Sequence, residues 1–208
     1  TFVSKGRPPG LPTDSGLGRI IQMSSGVYVA APNKAVASGG TVPGIYYTTN
    51  PLAGWTFKSL GFGIRDIATD GTTVVAVGET GNIQYATDPA GTWTAWTSGV
   101  GAFPIVAVCM GDGKTVIAGY SSATAGIIRV ATSVGGAFTT RSPTMTSHGG
   151  TALYYDGANF YCGCSNGNMY WRAKASAATT NWTLISASTT DTGFTTQIND
   201  YFDPPTND

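Results

Sequence analysis

Short runs of hydrophobic residues alternate with turn residues along this chain. The best-defined unit predicts four strands, at about 64–69, 72–78, 82–87 and 92–97. Asp70-Gly71, between the first two of these strands, predicts a tight hairpin, because Gly tolerates the positive φ that such turns need. No stretch has a sustained 3.6-residue apolar period, and Ala173–Ala178, the best helical candidate, is interpreted as part of a loop. The pattern therefore predicts an all-β chain.

The same order of four runs recurs along the chain, which is typical of repeat architectures. Turn glycines of successive units lie 45, 42 and 44 residues apart, and the aromatic residues that close the units lie 38, 45 and 44 apart. These landmarks are Gly26, Gly71, Gly113 and Gly157, and Trp55, Trp93, Phe138 and Trp182. Four short strands per period of about 40–50 residues indicate a β-propeller, whose blades bury their faces on one another. We predict about four complete four-stranded antiparallel blades of 42–45 residues, and we expect the closing aromatics to be largely buried.

The repeats divide the chain into three parts. Residues 1–16 are rich in Pro and Gly and predict an arm or linker, residues 17–188 hold the blades, and residues 189–208 start a partial fifth repeat or ring-closing tail. Either strands from both ends close the ring, or the sequence is part of a larger ring. The units differ most in three loops, which we expect on one binding face. These loops are Pro32–Pro43, Ser121–Ala125 and Ala173–Asn181.

Composition narrows the function classes. The 208 residues have no net charge, and only 11% are charged, against about a quarter in typical soluble domains. Basic residues are scattered, so nucleic-acid binding is not expected, and no apolar run is long enough for a membrane helix. The three cysteines, Cys109, Cys162 and Cys164, do not form a disulfide framework, and their redox state is left open.

The sequence predicts no catalytic, cofactor-binding or metal site and leaves the ligand-binding residues unknown. Asp70, Asp112 and Asp156 lie in equivalent hairpin turns, where turn formation explains them. Glu79 is the only Glu and His148 the only His, so general acid–base partners are few. His148 is interpreted as a loop residue without a special role.

Cysteine and tryptophan positions have structural interpretations beside functional alternatives. Cys162 and Cys164 fall on one face of a strand and are interpreted as small buried side chains. A structural calcium site built from turn aspartates is an alternative. For the tryptophans, core packing between blades is the main expectation, and stacking on a sugar ring of a bound glycan is the functional alternative. The tryptophans are Trp55, Trp93, Trp96, Trp171 and Trp182.

The closing segments resemble degenerate copies of the Asp-box, or BNR, repeat, Ser-x-Asp-x-Gly-x-Thr-Trp. The segment Thr87–Trp93 matches it best, although two residues and not one separate Asp88 from Gly91, whereas Thr48–Trp55 has Asn for Asp. Later copies have lost more of the box. The repeat occurs in sialidases, in photosystem-assembly-factor-like propellers and in phage tail and fibre proteins. The resemblance implies a propeller over roughly residues 17–186.

The resemblance implies function only by analogy. A sialidase needs an arginine cluster, a Tyr/Glu nucleophile pair and an acid Asp, and the arginines here do not occupy matching blade positions. These are Arg7, Arg19, Arg65, Arg129, Arg141 and Arg172. We therefore expect no enzyme but a structural or receptor-binding component of a phage virion. Its expected partners are other virion proteins, further copies of itself, or a host surface glycan or receptor. The alternative is a secreted, extracellular carbohydrate-binding module or degenerate sialidase-like glycoside hydrolase.

Overall fold

The computed structural model describes residues 17–32 and 43–186. The predicted arm 1–16, most of the loop Pro32–Pro43 and the predicted tail 189–208 lie outside the described residues. The described strands are β1 Leu17–Gln22, β2 Tyr28–Pro32, β3 Gly44–Thr48, β4 Thr56–Ser59, β5 Ile64–Thr69, β6 Val74–Gly78, β7 Ile83–Ala86, β8 Thr94–Ala95, β9 Ile105–Gly111, β10 Lys114–Ser122, β11 Ala125–Ala131, β12 Thr139–Thr140, β13 Gly150–Tyr155, β14 Asn159–Cys164, β15 Met169–Ala173 and β16 Thr183–Ser186. Two short 3₁₀ helices cover Glu79–Gly81 and Lys174–Ser176.

The strands form four antiparallel four-stranded sheets, and each sheet takes four consecutive strands in order. Blade 1 is β1–β4, blade 2 is β5–β8, blade 3 is β9–β12 and blade 4 is β13–β16. The propeller prediction is confirmed, and the predicted strands of blade 2 agree with β5–β8 to within a few residues. The segment Ala173–Ala178 is a loop that contains one 3₁₀ turn.

Because strand direction alternates, the loops of each blade fall on two sides of the ring. The turns between first and second strands and the loops between third and fourth strands lie on what we call the hairpin side. Loops between second and third strands, and the connections between blades, lie on the connection side. Turn chemistry fixes the hairpin side: Gly71 has φ +96°, and Asp112 and Gly113 both have positive φ in a two-residue hairpin.

The registers give every blade one row of cross-strand neighbours that faces the next blade, here called the forward row. These rows are Ile21, Val29, Tyr47 and Thr56; Ala68, Val75, Tyr85 and Thr94; Cys109, Val116, Val130 and Thr139; and Tyr154, Tyr161, Trp171 and Thr183. The adjacent row, on the other face of each sheet, is the backward row. These rows are Ile20, Ala30, Tyr46 and Phe57; Ile67, Ala76, Gln84 and Ala95; Val108, Ile117, Arg129 and Thr140; and Leu153, Cys162, Tyr170 and Leu184.

Three apolar cores lie between the blades, and each joins one forward row to one backward row. The forward row of blade 1 packs on the backward row of blade 2 through Val29 and Ile67, and Val75 packs with Ile117 between blades 2 and 3. Between blades 3 and 4 the core holds Val116 and Phe160. Since large aliphatic and aromatic side chains are worth about 1.5–3 kcal/mol each on burial, these interfaces stabilise the ring.

The closing aromatics are less buried than the sequence predicted. Trp182 is buried in the core between blades 3 and 4, but Trp55, Trp93 and Phe138 are only half-buried. Trp93 lies over its own turn, where its Nε1–H donates to the Pro89 carbonyl at 3.1 Å. The fully enclosed tryptophan of blade 2 is Trp96, which follows β8 and enters the core between blades 2 and 3.

Candidate binding surfaces and polar clusters

A polar cluster joins the innermost strands of three blades. Asp66 on β5 accepts hydrogen bonds from Arg19 Nη1 of blade 1 at 3.2–3.3 Å and from the Val108 amide of blade 3 at 2.8 Å. Its own blade supplies the Ile67 amide at 2.9 Å, and Arg19 also donates to the Val108 carbonyl. The carboxylate is therefore a shared acceptor that fixes blades 1, 2 and 3 to one another.

Burial governs the chemistry of this cluster. Burial raises the pKa of Asp66 above its usual value, while the charge of Arg19 and the amides of Val108 and Ile67 oppose that rise. Burial also raises the pKa of the neighbouring Cys109 thiol to about 12. At neutral pH Cys109 is therefore a protonated thiol, which is a poor nucleophile.

The hairpin aspartates lie in turns, as predicted. Asp70 Oδ1 accepts from the amides of Thr72 and Thr73, and Asp156 Oδ1 accepts from the amides of residues 158 and 159. These amide hydrogen bonds lower the pKa of Asp156 to about 2. Lys114 donates to Asp112 at 2.7 Å and lowers its pKa. The three carboxylates thus hold turns in three different blades and do not converge.

The described arginines are engaged separately. Arg65 pairs with Glu79 at 2.8 Å on the connection side, so the only Glu of the chain is in an ion pair. Arg141 Nε donates to the Ala178 carbonyl, and Arg172 donates to Ser176 and Thr183. Arg7 lies outside the described residues. The described part of the chain does not bring three arginines together on one substrate position.

His148 is buried, although the sequence interpretation made it an ordinary loop residue. Its ring stacks on Tyr170 with a 3° interplanar angle, its Nδ1 lies 2.7 Å from the Thr146 carbonyl, and its Nε2 lies 3.5 Å from the Tyr170 hydroxyl. Cys162 and Cys164 are buried nearby, as predicted, and their mutual hydrogen bond raises the pKa of Cys162. Within residues 17–32 and 43–186, no group of three His, Cys, Asp or Glu side chains could hold a metal ion.

Each of the last three blades uses one backward-row side chain to hold the connection before it. Gln84 Nε2 donates to the Leu60 carbonyl at 3.1 Å, and Arg129 Nη1 donates to the Ser98 carbonyl at 3.0 Å. In blade 4 the contact is between side chains, since the Tyr170 hydroxyl lies 3.5 Å from His148 Nε2. These contacts were not predicted from the sequence, although a charged residue inside the apolar run Gly126–Val130 is a signal for one of them.

A groove of about 460 Å³ lies at the outer rim between blades 2 and 3. It is lined by Trp96, Ser98 and Gly99 from blade 2, and by Arg129 and Phe138 from blade 3. Trp96 and Phe138 have ring centroids 4.6 Å apart, and Trp96 Nε1 donates to the carbonyl of residue 136. The groove therefore combines a cation, aromatic rings and backbone polar groups, which are groups that can orient a bound ligand.

The variable loops do not share one face, contrary to the sequence prediction. Ser121–Ala125 joins the second and third strands of blade 3 and lies on the connection side, whereas Ala173–Asn181 joins the third and fourth strands of blade 4 and lies on the hairpin side. The reason is strand direction, since loops at successive strand ends alternate between sides. No described helix is long and apolar enough to cross a membrane.

The fold is similar to solved structures of the β-propeller protein YCF48. A structure described as YCF48 bound to D1 peptide matches with a TM-score of 0.59 and 14% identity, over 87% of this chain and 56% of that chain. YCF48 from Cyanidioschyzon merolae matches with a TM-score of 0.59 and 15% identity, over 86% and 59%. The chain thus spans less than two thirds of those chains. No family model and no curated protein matches the sequence. Identity this low supports the fold alone, and the Asp-box resemblance stays a prediction.

Proposed function

We propose that this propeller works by association and not by chemistry, as a structural or receptor-binding component of a phage virion. The observation that supports association is the outer groove between blades 2 and 3, where Arg129 and Phe138 lie beside the backbone of residues 135–137. An extended segment of a partner protein fits this chemistry, because backbone groups and one side-chain carboxylate would meet amides, carbonyls and a guanidinium. That a related fold, YCF48, has been solved with a peptide supports the idea.

The polar side chains of the described residues support association as well. Asp66, Glu79 and Asp112 each have a cationic partner, and Asp156 accepts two backbone amides. A carboxylate committed to a turn or an ion pair is poorly placed to exchange a proton with substrate. The low charge of the chain and its Asp-box-like segments favour the virion as the place of action.

Selection of linear peptides tests the groove. We expect a displayed library of random dodecapeptides to enrich binders that carry an acidic residue. Affinity for a selected peptide should fall by roughly tenfold in Phe138→Ala, because an interface aromatic is typically worth more than 1 kcal/mol. Phe57→Ala is the matched control, since Phe57 is a partly exposed aromatic of blade 1 far from the groove. Equal loss of affinity in both variants, or no enrichment, would contradict the groove.

Particle localisation tests the finer part of the proposal. An antibody raised against this chain should decorate purified phage particles from the producing culture in electron micrographs. Detection only in the particle-free culture supernatant would instead favour the secreted carbohydrate-binding module. In that case, the peptides selected for binding to the groove should not displace polysaccharide that is bound to the chain.

A further inference from the structure

The face of blade 4 that points away from blade 3 has the pattern of an interface between blades. Its forward row is Tyr154, Tyr161, Trp171 and Thr183. In blades 1 to 3 the same row begins with apolar residues, ends in a threonine of the fourth strand, and lies in the core shared with the next blade. No fifth sheet follows within residues 17–32 and 43–186. Blade 4 therefore presents the half of an interface that needs a following blade.

The outer strand of blade 4 points to the same conclusion. Ile185, which follows the backward-row residue Leu184 on β16, is 48% exposed. Tyr161 is half-buried, whereas its counterparts on the second strands of blades 1, 2 and 3 are fully enclosed: Val29, Val75 and Val116. Trp171, beside Tyr161 in the row, is also half-buried. Large apolar side chains gathered on one sheet face mark a contact surface.

The sequence identifies an occupant for this face. The first residue of each backward row lies on the innermost strand and is aliphatic: Ile20, Ile67, Val108 and Leu153, spaced 47, 41 and 45 residues apart. Three of these residues, Ile67, Val108 and Leu153, pack on the preceding blade. A further step of 45 residues from Leu153 reaches Ile198. The neighbouring residues, Gln197 and Asn199, are polar, so the aliphatic residue stands alone at the expected position.

We propose that residues 195–201 form the innermost strand of a fifth blade and that Ile198 packs on the forward row of blade 4. In this arrangement the contact between Ile198 and the Tyr161–Trp171 part of the row repeats that between Ile67 and Val29. The surface on blade 4 is thus an intramolecular docking site for the C-terminal segment, and it is not the site at which a partner peptide binds.

Matched serine substitutions in the full chain test the proposal. Ile198→Ser should lower the melting temperature by more than about 5 °C, because truncating a packed aliphatic side chain costs several kcal/mol in a domain of this size. Ile20→Ser is the control, since Ile20 starts the backward row of blade 1 and is 51% exposed. It should lower the melting temperature by no more than about 2 °C. Equal shifts in the two variants would overturn the proposal.

Hydrogen exchange of the unmodified chain gives a second readout that does not depend on a variant folding. Amides of residues 195–201 should exchange at least about a thousandfold more slowly than in an unfolded peptide, like those of the innermost strand β13. Exchange at the unfolded rate would overturn the proposal. Sedimentation equilibrium tests whether a second copy of the chain covers this face instead. If the native chain is a dimer and Trp171→Ser is a monomer, the face is a dimer interface and the proposal is wrong.

Discussion

At the ring centre, blades 1, 2 and 3 contact one another through polar side chains, whereas blades 3 and 4 contact each other through apolar ones. The residues responsible occupy the same position of the innermost strand in each blade. The residue before each backward row is Arg19, Asp66, Ala107 and Ala152 in the four blades. The first two blades thus place an ion pair where the last two place alanine. The same repeat geometry can therefore hold the innermost strands together either through a buried charge whose hydrogen bonds are all satisfied or through a purely apolar contact.

The apolar interface should be the more sensitive to loss of volume. Trp182→Ala removes a ring that is only 3% exposed, and we expect it to lower the free energy of unfolding by about 3–5 kcal/mol. Trp93→Ala, at the same repeat position but half-buried, should cost about half as much because less of its ring leaves an apolar contact. Urea unfolding measures both variants, and equal losses would show that the two tryptophans have the same surroundings.

The polar interface should be sensitive to loss of a partner. Asp66→Ala leaves Arg19 and the Val108 amide without their acceptor, and we expect it to cost about 2–4 kcal/mol. Arg19→Ala should cost less, about 1 kcal/mol, because the arginine side chain is 42% exposed. Ala107→Ser is a control at the matching position of blade 3. If Arg19→Ala were the more damaging variant, the arginine and not the carboxylate would organise the centre.

Asp156, in an exposed hairpin turn of blade 4, and Asp66, at the ring centre, should give opposite pH dependences. The pKa of Asp156 is lowered to about 2 by the backbone amides, so its contribution to stability is present above the unfolded value of 3.8 and is lost as pH falls toward 2. The difference in melting temperature between the native chain and Asp156→Ala should therefore shrink between pH 4 and pH 2.

Asp66 provides the contrast, since burial raises its pKa in the folded state. The native state then binds more protons than the unfolded state just above pH 3.8. The stability difference between the native chain and Asp66→Asn should therefore fall as pH rises from 3.8 through the folded pKa. Parallel profiles for the two aspartates would contradict the assigned environments.

The smallest effect is expected at the cysteines. Cys109, Cys162 and Cys164 are buried, and the raised pKa values of Cys109 and Cys162 keep those two thiols protonated at neutral pH. A thiol-reactive chromogenic disulfide should label none of the three cysteines in the native chain within minutes and all of them in denaturant. Rapid labelling of Cys109 alone would show that the ring centre opens.

Local sequence signals were sufficient for the blades but not for the contacts between them. Asp70-Gly71 and Asp156-Gly157 predict hairpins because turn chemistry is local, and the spacing of repeats gives the propeller. The partners of Asp66 and Arg129 lie about 30 to 50 residues away in sequence, so no local pattern reveals them. The burial of His148 was missed for the same reason, since its partner Tyr170 belongs to the following blade.

The central claim is that this propeller binds without catalysing a reaction. The most direct measurement is the release of reducing ends or free sialic acid when the purified chain is incubated with sialosides and bacterial surface polysaccharides. The account predicts no turnover above a buffer control at any substrate concentration. Saturable hydrolysis that is lost on mutation of a single Asp, while circular dichroism and melting temperature are unchanged, would contradict it.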